Sequence, residues 1–339
     1  MFRILKGKNR ALTYLANKFY SKANPLKKTG ALDKRSLKKR VSKKCNNEKD
    51  PLKKKFYQKL RTKNYELLKK IITSDINSLT NIQTDFETLV GNGVIAPFYT
   101  NIGGVYESTT FGVEVLELFN YKSSRGSVRF NWLVNELDVP ICPYCNYEHT
   151  FQINNQTILH DFDHFIPKVV APYLSLSFFN LIPSCHNCNS TLKSTTIFSE
   201  ANYIYPYLDD LHSIIEFSIT NPVKGNNKNS FDIELVNKTI DANKLRKISN
   251  HTFVFQLQSR YNQFKDDVLR LNSIKDKFSE TQKTQYLNNG LMGEIFTDRN
   301  DLISFIGKTI DIPIDANSAS RKEKGKFKMD IAIKFKIIP

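Results

Sequence analysis

Cys142-Pro143-Tyr144-Cys145, then His160-Asp161-Phe162-Asp163-His164-Phe165-Ile166-Pro167-Lys168, then Asn180-Leu181-Ile182-Pro183-Ser184-Cys185-His186-Asn187-Cys188-Asn189 is the stretch on which the reading of this chain turns. Two Cys-x-x-Cys units bracket a carboxylate, a histidine and an asparagine. A tetrahedral zinc needs four thiolates about 2.3 Å from one point, and each Cys-x-x-Cys turn supplies two. Cys142, Cys145, Cys185 and Cys188 are therefore expected to hold one structural Zn2+. The residues between them suggest a second, catalytic divalent ion beside a general base.

Thirty-nine residues, Asn146 to Ser184, separate the two cysteine pairs. A simple zinc ribbon has roughly 15–20, so the insert is expected to be a folded unit whose ends the zinc clamps. Residues 147–153 and 158–165 read as strands, with Asn154-Asn155-Gln156 as the hairpin turn. The second strand ends in Asp163-His164, and Pro167 stops it. Neighbours on a regular strand point to opposite faces, so these two share one site only if the pleat breaks there. Residues 180–183 return as a short strand. A helix is expected from about Cys185, carrying Asn189 and Lys193 on one face.

At this point the chain resembles the HNH endonucleases, the ββα-metal nucleases. Asp163-His164, Asn180-Leu181 and Cys185-x-x-Cys188-Asn189 match that family in residue type and order. Cys142-Pro143-Tyr144-Cys145-Asn146 is similar to its zinc-bearing branch. Residues 162–168 and 176–185 look like a bacterial subgroup, some relatives of which are encoded beside ATPases in anti-phage systems. The resemblance covers residues 129–217. It implies His164 as the general base that deprotonates water, and Asp163 with Asn189 as ligands of one Mg2+ or Mn2+. It also implies Asn180 as the residue that orients the loop carrying His164. The third family position is Asn189 rather than histidine, as in several members. The imidazole and the hard oxygen donors suit these tasks. Lys168 and Lys193 are candidate phosphate contacts. Asp161 is a possible supporting carboxylate, His160 a rim residue, and His186 a solvent-facing knuckle residue.

Outward from the motif, charge is uneven. The 339 residues carry a net +17, yet residues 1–70 alone hold 24 Lys/Arg against 4 Asp/Glu, a net of +20. Such a block favours a polyanion, most commonly nucleic acid; the alternative is a solvated face. Residues 1–75 read as a basic, helical or partly flexible region, and 76–140 as a helical lead-in to the 141–200 core. Residues 201–339 read as a mixed strand and helical region packing on that core. Trp132 is expected as a core anchor and Cys45 as an incidental thiol. Residues 203–207 read as an aromatic stretch packing on the core, 214–219 and 231–235 as strands, and 241–271 as one long helix. Residues 315–326 read as an exposed loop, while 327–338 fit either a helix or an edge strand. No apolar run approaches the roughly 18 residues of a membrane helix, and no signal-peptide core follows the start, so a cytoplasmic location is expected.

These features together predict an α+β chain in which a zinc-clamped ββα-metal core sits within a mostly helical frame. The resemblance implies a metal-dependent endonuclease expected to hydrolyse phosphodiesters, in DNA first, with nucleic acid as partner and an ATPase subunit as a possible second one. Two alternatives stay open: a catalytically silent zinc-ribbon module that only binds nucleic acid, and an RNA-directed nuclease.

Overall fold

The protein is described from a computed structural model that covers residue 4 and residues 9–120, 128–154, 157–288 and 295–339. The lysine-rich region folds as three helices, α1 (Asn9–Ala23), α2 (Leu37–Asn47) and α3 (Pro51–Thr73). In α2, Leu37, Val41 and Cys45 recur every fourth residue, and all three are buried while Lys39 and Lys43 face water; this is the stripe an amphipathic helix needs. Asp50 caps α3 through its carboxylate to the Leu52 and Lys53 N–H groups, with Pro51 at the first helical position. Lys63, Asn64 and Tyr65 break α3 with left-handed φ values of 48°, 52° and 66°. The Tyr65 hydroxyl bonds Ser42, which ties the break to α2.

These helices do not form a separate tail. Phe56 of α3 packs against Phe86 of α4 (Ile76–Gly91), Phe98, Phe111 of α5 (Thr110–Phe119) and Tyr173, with ring centroids 5.3, 5.3, 5.6 and 6.3 Å away. Tyr173 belongs to the loop that supports the cysteine-flanked centre. Ser177 of the same loop donates its hydroxyl to the Ile71 carbonyl, and Phe19 of α1 meets Phe178. The basic region thus shares its core with the central motif, and Cys45 is a buried part of it. Trp132, on α6 (Val128–Leu137), packs against the edge of the core rather than inside it: it is half-buried, with Lys18 and Lys22 5.1 and 5.0 Å from its ring.

The described sheets are all two-stranded and antiparallel. β1 (Tyr99–Ile102) and β2 (Val105–Ser108) form a hairpin within the region expected to be a helical lead-in. β3 (Gln152–Asn154) pairs with β4 (Thr157–Ile158), shorter than the expected strands; the turn residues Asn155 and Gln156 lie outside the described residues. β5 (Asp161–His164) pairs instead with β6 (Leu181–Ser184), Asp161 opposite Ser184 and His164 opposite Leu181. A helical segment with π winding, Asn187–Lys193, follows β6. β7 (Ile215–Ile219) and β8 (Ile233–Asn237) pair near the two predicted strand positions.

The predicted long helix over 241–271 is broken into α7 (Ala242–Val254), α8 (Leu257–Tyr261) and α9 (Lys265–Ile274), first at Gln256, which takes a left-handed φ of 50°, and then at the 3-10 turn Asn262–Phe264. α10 (Glu280–Asn288) and α11 (Arg299–Thr309) follow. The predicted loop over 315–326 contains α12 (Ala316–Ser320), and the undecided C-terminal segment is helical, α13 (Gly325–Lys334). Tyr205 and Tyr207 are buried, their hydroxyls donated to the Phe179 and Leu181 carbonyls, so the aromatic stretch packs on the centre as expected. Among the described residues no helix is long and apolar enough to cross a membrane.

Candidate metal and hydrolytic centre

The four knuckle cysteines converge. Their sulfur atoms all lie within 4.8 Å of one another and all four residues are buried. Thiolates 2.3 Å from a tetrahedral centre lie about 3.8 Å apart, so this donor set fits zinc. Each knuckle is built as its sequence suggests. The Cys142 N–H donates to the Glu148 carbonyl and the Asn146 N–H to the Cys142 carbonyl, closing a tight turn with Asn146 at φ 50°. Asparagine is among the few residues that accept this conformation readily.

The surroundings of the thiols come from far along the chain. The Arg260 guanidinium lies 3.6 Å from Cys188 Sγ and also donates to Glu148 at 2.9 Å, and Glu148 in turn accepts from the Asn187 amide. A cation there offsets part of the negative charge of four thiolates. The Tyr261 hydroxyl donates to the Cys145 carbonyl, and His251 Nε2 donates to the Tyr144 carbonyl. Lys324 and Lys326 give their backbone N–H groups to the Asn146 main-chain and side-chain oxygens. Nothing in the local sequence points to Arg260, His251 or Tyr261; these are contacts of tertiary structure.

Beside the thiols an open cleft of about 260 Å³ is lined by Asp161, Asp163, His164, Lys168, Asn189 and Lys193, among others. The expected residues therefore gather in one place, but their partners differ from the expectation. β5 is regular through His164, so Asp161 and Asp163 share one face, toward the π segment. Asp161 Oδ2 accepts from the Asn189 amide at 3.1 Å, from the Ser190 hydroxyl at 3.3 Å and from His186 Nδ1 at 2.9 Å. Asn189 is thus joined to Asp161 rather than to Asp163.

Asp163 is occupied otherwise. Lys193 Nζ lies 2.6 and 2.8 Å from its two oxygens, and the Tyr144 hydroxyl donates to Oδ2 at 2.7 Å. Lys193 is 2% exposed and Asp163 3%. Lys193 therefore does not face phosphate, as its sequence position suggested; it is a buried counter-ion. Burial pushes its ammonium below the ordinary lysine range, and the Asp163 carboxylate opposes that. Burial and the same carboxylate raise the Tyr144 phenol, which stays a donor. The other expected phosphate contact, Lys168, is exposed on the cleft wall.

His164 leaves the face shared by the two aspartates. Its Nε2 lies 3.1 Å from the Ser175 carbonyl. A carbonyl only accepts, so Nε2 carries the hydrogen and Nδ1 the lone pair in the neutral ring. Burial, and after it the charge of Lys168, lowers the imidazole pKa to about 3. The ring is therefore neutral at physiological pH. Asn180 is buried and bonds the loop that follows His164. Its side-chain oxygen accepts from the Ile166 N–H at 2.7 Å, and its amide donates to the Ile166 and Leu174 carbonyls at 3.0 and 3.3 Å. That ties together the two ends of the loop from Ile166 to Leu174, which runs between His164 and its partner Ser175. His160 is buried against Phe162 rather than at a rim.

No family model, curated protein or solved structure matches the chain.

Proposed function

We propose that the protein is a metal-dependent endonuclease of the HNH type, hydrolysing phosphodiester bonds of nucleic acid, with DNA as its first candidate substrate. One observation carries this reading. A neutral imidazole of fixed tautomer, a carboxylate–carboxamide pair and an exposed lysine line one cleft beside four zinc-compatible thiols. The order of strand β5, strand β6 and a helical segment supports it as well.

The hard-oxygen donors that fit Mg2+ or Mn2+ are Asp161 and Asn189, since the Asp163 oxygens already serve Lys193 and Tyr144. Asp161 and Asn189 would hold such a cation, which would supply stabilisation of negative charge on phosphoryl and leaving oxygens. The protein's own steps begin with His164. Its Nδ1 lone pair takes a proton from water as the water oxygen bonds to phosphorus, and the bond to the 3′-oxygen breaks. The anionic phosphate favours the imidazolium thus formed, offsetting the burial that holds the ring at a low pKa. Lys168 attracts the phosphate from the cleft wall, and Asn180 keeps the loop in place.

Purified protein incubated with plasmid, single-stranded DNA and RNA, with and without Mg2+ or Mn2+, tests this directly. Metal-dependent cleavage is expected for the wild type. His164→Ala is expected to lower the rate by roughly 10²–10⁴-fold with zinc content and nucleic-acid affinity intact. Asp161→Asn is expected to regain activity in part at high Mn2+. Cleavage by His164→Ala at the wild-type rate would remove His164 as the base. Binding without cleavage by the wild type in either metal would favour a silent zinc module, a reading that the 7% exposure of His164 also fits.

A further inference from the structure

Lys193 and Tyr144 have no part in the chemistry above. We propose that they are positioning residues, which hold the His164 main chain and couple it to the zinc knuckle through Asp163. This role rests on His164 being the base.

A lysine ammonium has three N–H donors and no acceptor, and burying one costs heavily unless each donor finds a partner. In Lys193 the donors go to Asp163 Oδ1, to Asp163 Oδ2 and to the His164 carbonyl, at 2.6, 2.8 and 2.6 Å. The third bond matters most. The His164 carbonyl and the Phe165 N–H belong to one planar peptide unit, and they point to opposite sides. Lys193 holds the carbonyl, while the Phe165 N–H donates to the Asn180 carbonyl at 2.9 Å. One peptide is clamped from both sides directly after the imidazole. With Nε2 tied to Ser175, backbone and ring of His164 are fixed at three points.

Asp163 extends the clamp to the metal. Its second oxygen accepts from Tyr144, which stands between Cys142 and Cys145. Tyr144 is itself immobile: buried, stacked on Phe255 at 4.7 Å and held through its carbonyl by His251. A knuckle that closes around zinc therefore places the hydroxyl that orders Asp163, which orders Lys193, which orders His164. The π winding of Asn187–Lys193 lets Asn189 meet Asp161 while Lys193 reaches Asp163, two residues along the same strand face.

The test uses full-length zinc-loaded protein as wild type, Tyr144→Phe, Lys193→Met, and the paired Lys193→Met/Asp163→Asn. The paired variant removes both buried charges together, so it remains informative if Lys193→Met alone does not fold. Two readouts are taken. The first is the ¹⁵N imidazole spectrum of His164, which reports its tautomer without reference to activity. The second is kcat and KM on the nucleic acid that the wild type cleaves. The wild type is expected to show a single Nε2–H tautomer. Tyr144→Phe and the paired variant are expected to show mixed tautomers, with kcat lower by about tenfold or more and KM within about twofold, the scale of losing a hydrogen bond to a charged group. Zinc content should be unchanged. Wild-type tautomer and wild-type kcat in both folded variants would overturn the proposal. An inactive wild type whose tautomer is still lost in the variants would uphold the positioning and sink the nuclease reading instead.

Discussion

Asp161 and Asp163 show how much two neighbours on one strand face can differ. Both are buried, yet one meets an amide, a hydroxyl and an exposed imidazole while the other meets a buried ammonium and a phenol. Dipolar donors leave a carboxylate's negative charge available to a cation, whereas an ammonium at contact distance neutralises it. His251, behind the first knuckle, ties stability to pH. Burial lowers its pKa to about 3, against about 6.5 in an unfolded chain. Between these values the unfolded chain binds a proton that the folded one does not. Stability from this ring is therefore complete above pH 6.5 and falls as pH drops toward 3. At pH 5 the loss is on the order of 2 kcal/mol. Denaturant midpoints at pH 7 and pH 5 check this: His251→Gln should lose less between the two than the wild type. Any acid-linked loss that does not pass through the ring, metal release included, would affect both proteins alike, so an equal loss in both would discount the ring.

At the scale of elements, the two knuckles are short turns with little apolar surface of their own, braced by α7, α8 and α13. Gly325 opens α13 where an added Cβ would lie 2.2 Å from the Ala319 carbonyl, so only glycine lets the brace close on Asn146. Metal-clamped units of this build depend on the ion more than on packing. The purified protein is expected to carry one zinc per chain. Cys188→Ser should release it and lower the thermal midpoint by about 5 °C, since each of a few kcal/mol moves a chain of 339 residues by about 1–2 °C. Elemental analysis finding folded, zinc-free wild type with the same midpoint would refute the metal's structural role.

For the whole molecule, the placement of charge and core changes what a deletion can tell. Phe19, Phe56, Tyr57, Leu60 and Ile72 are buried within the basic region. Removing residues 1–70 would expose the core and the Tyr173 loop, and the truncated chain should fail to fold. It would not simply lose a polyanion-binding arm. Surface charge is separable from core in another way: Lys39, Lys43, Lys55 and Lys59 are exposed. Changing all four to Glu should leave the thermal midpoint near wild type. Binding of duplex DNA should weaken, and the slope of log K against log salt should shrink by about 0.9 for each phosphate that is no longer neutralised. An unchanged slope would make this face a solvated one.

The sequence by itself determined the cysteine quartet, the neighbourhood of Asp163, His164 and Asn189, the loop-holding asparagine, and the helical nature of the basic region. Each rests on short-range spacing: ligand pairs three residues apart, and apolar residues four apart on a helix. Asp163, His164 and Asn189, named from residue type and order, do line one cleft. Tertiary structure alone decided which carboxylate faces Asn189, because that depends on the winding of a π segment against a strand. It also decided that Lys193 is buried, that Trp132 is only half-buried, and that the helix over 241–271 breaks at Gln256 and again at 262–264. Hydrophobic period and charge describe a segment's own preference. Who neutralises a buried charge, and which surface covers which, depend on partners more than a hundred residues away, as Arg260 and His251 are from the first knuckle.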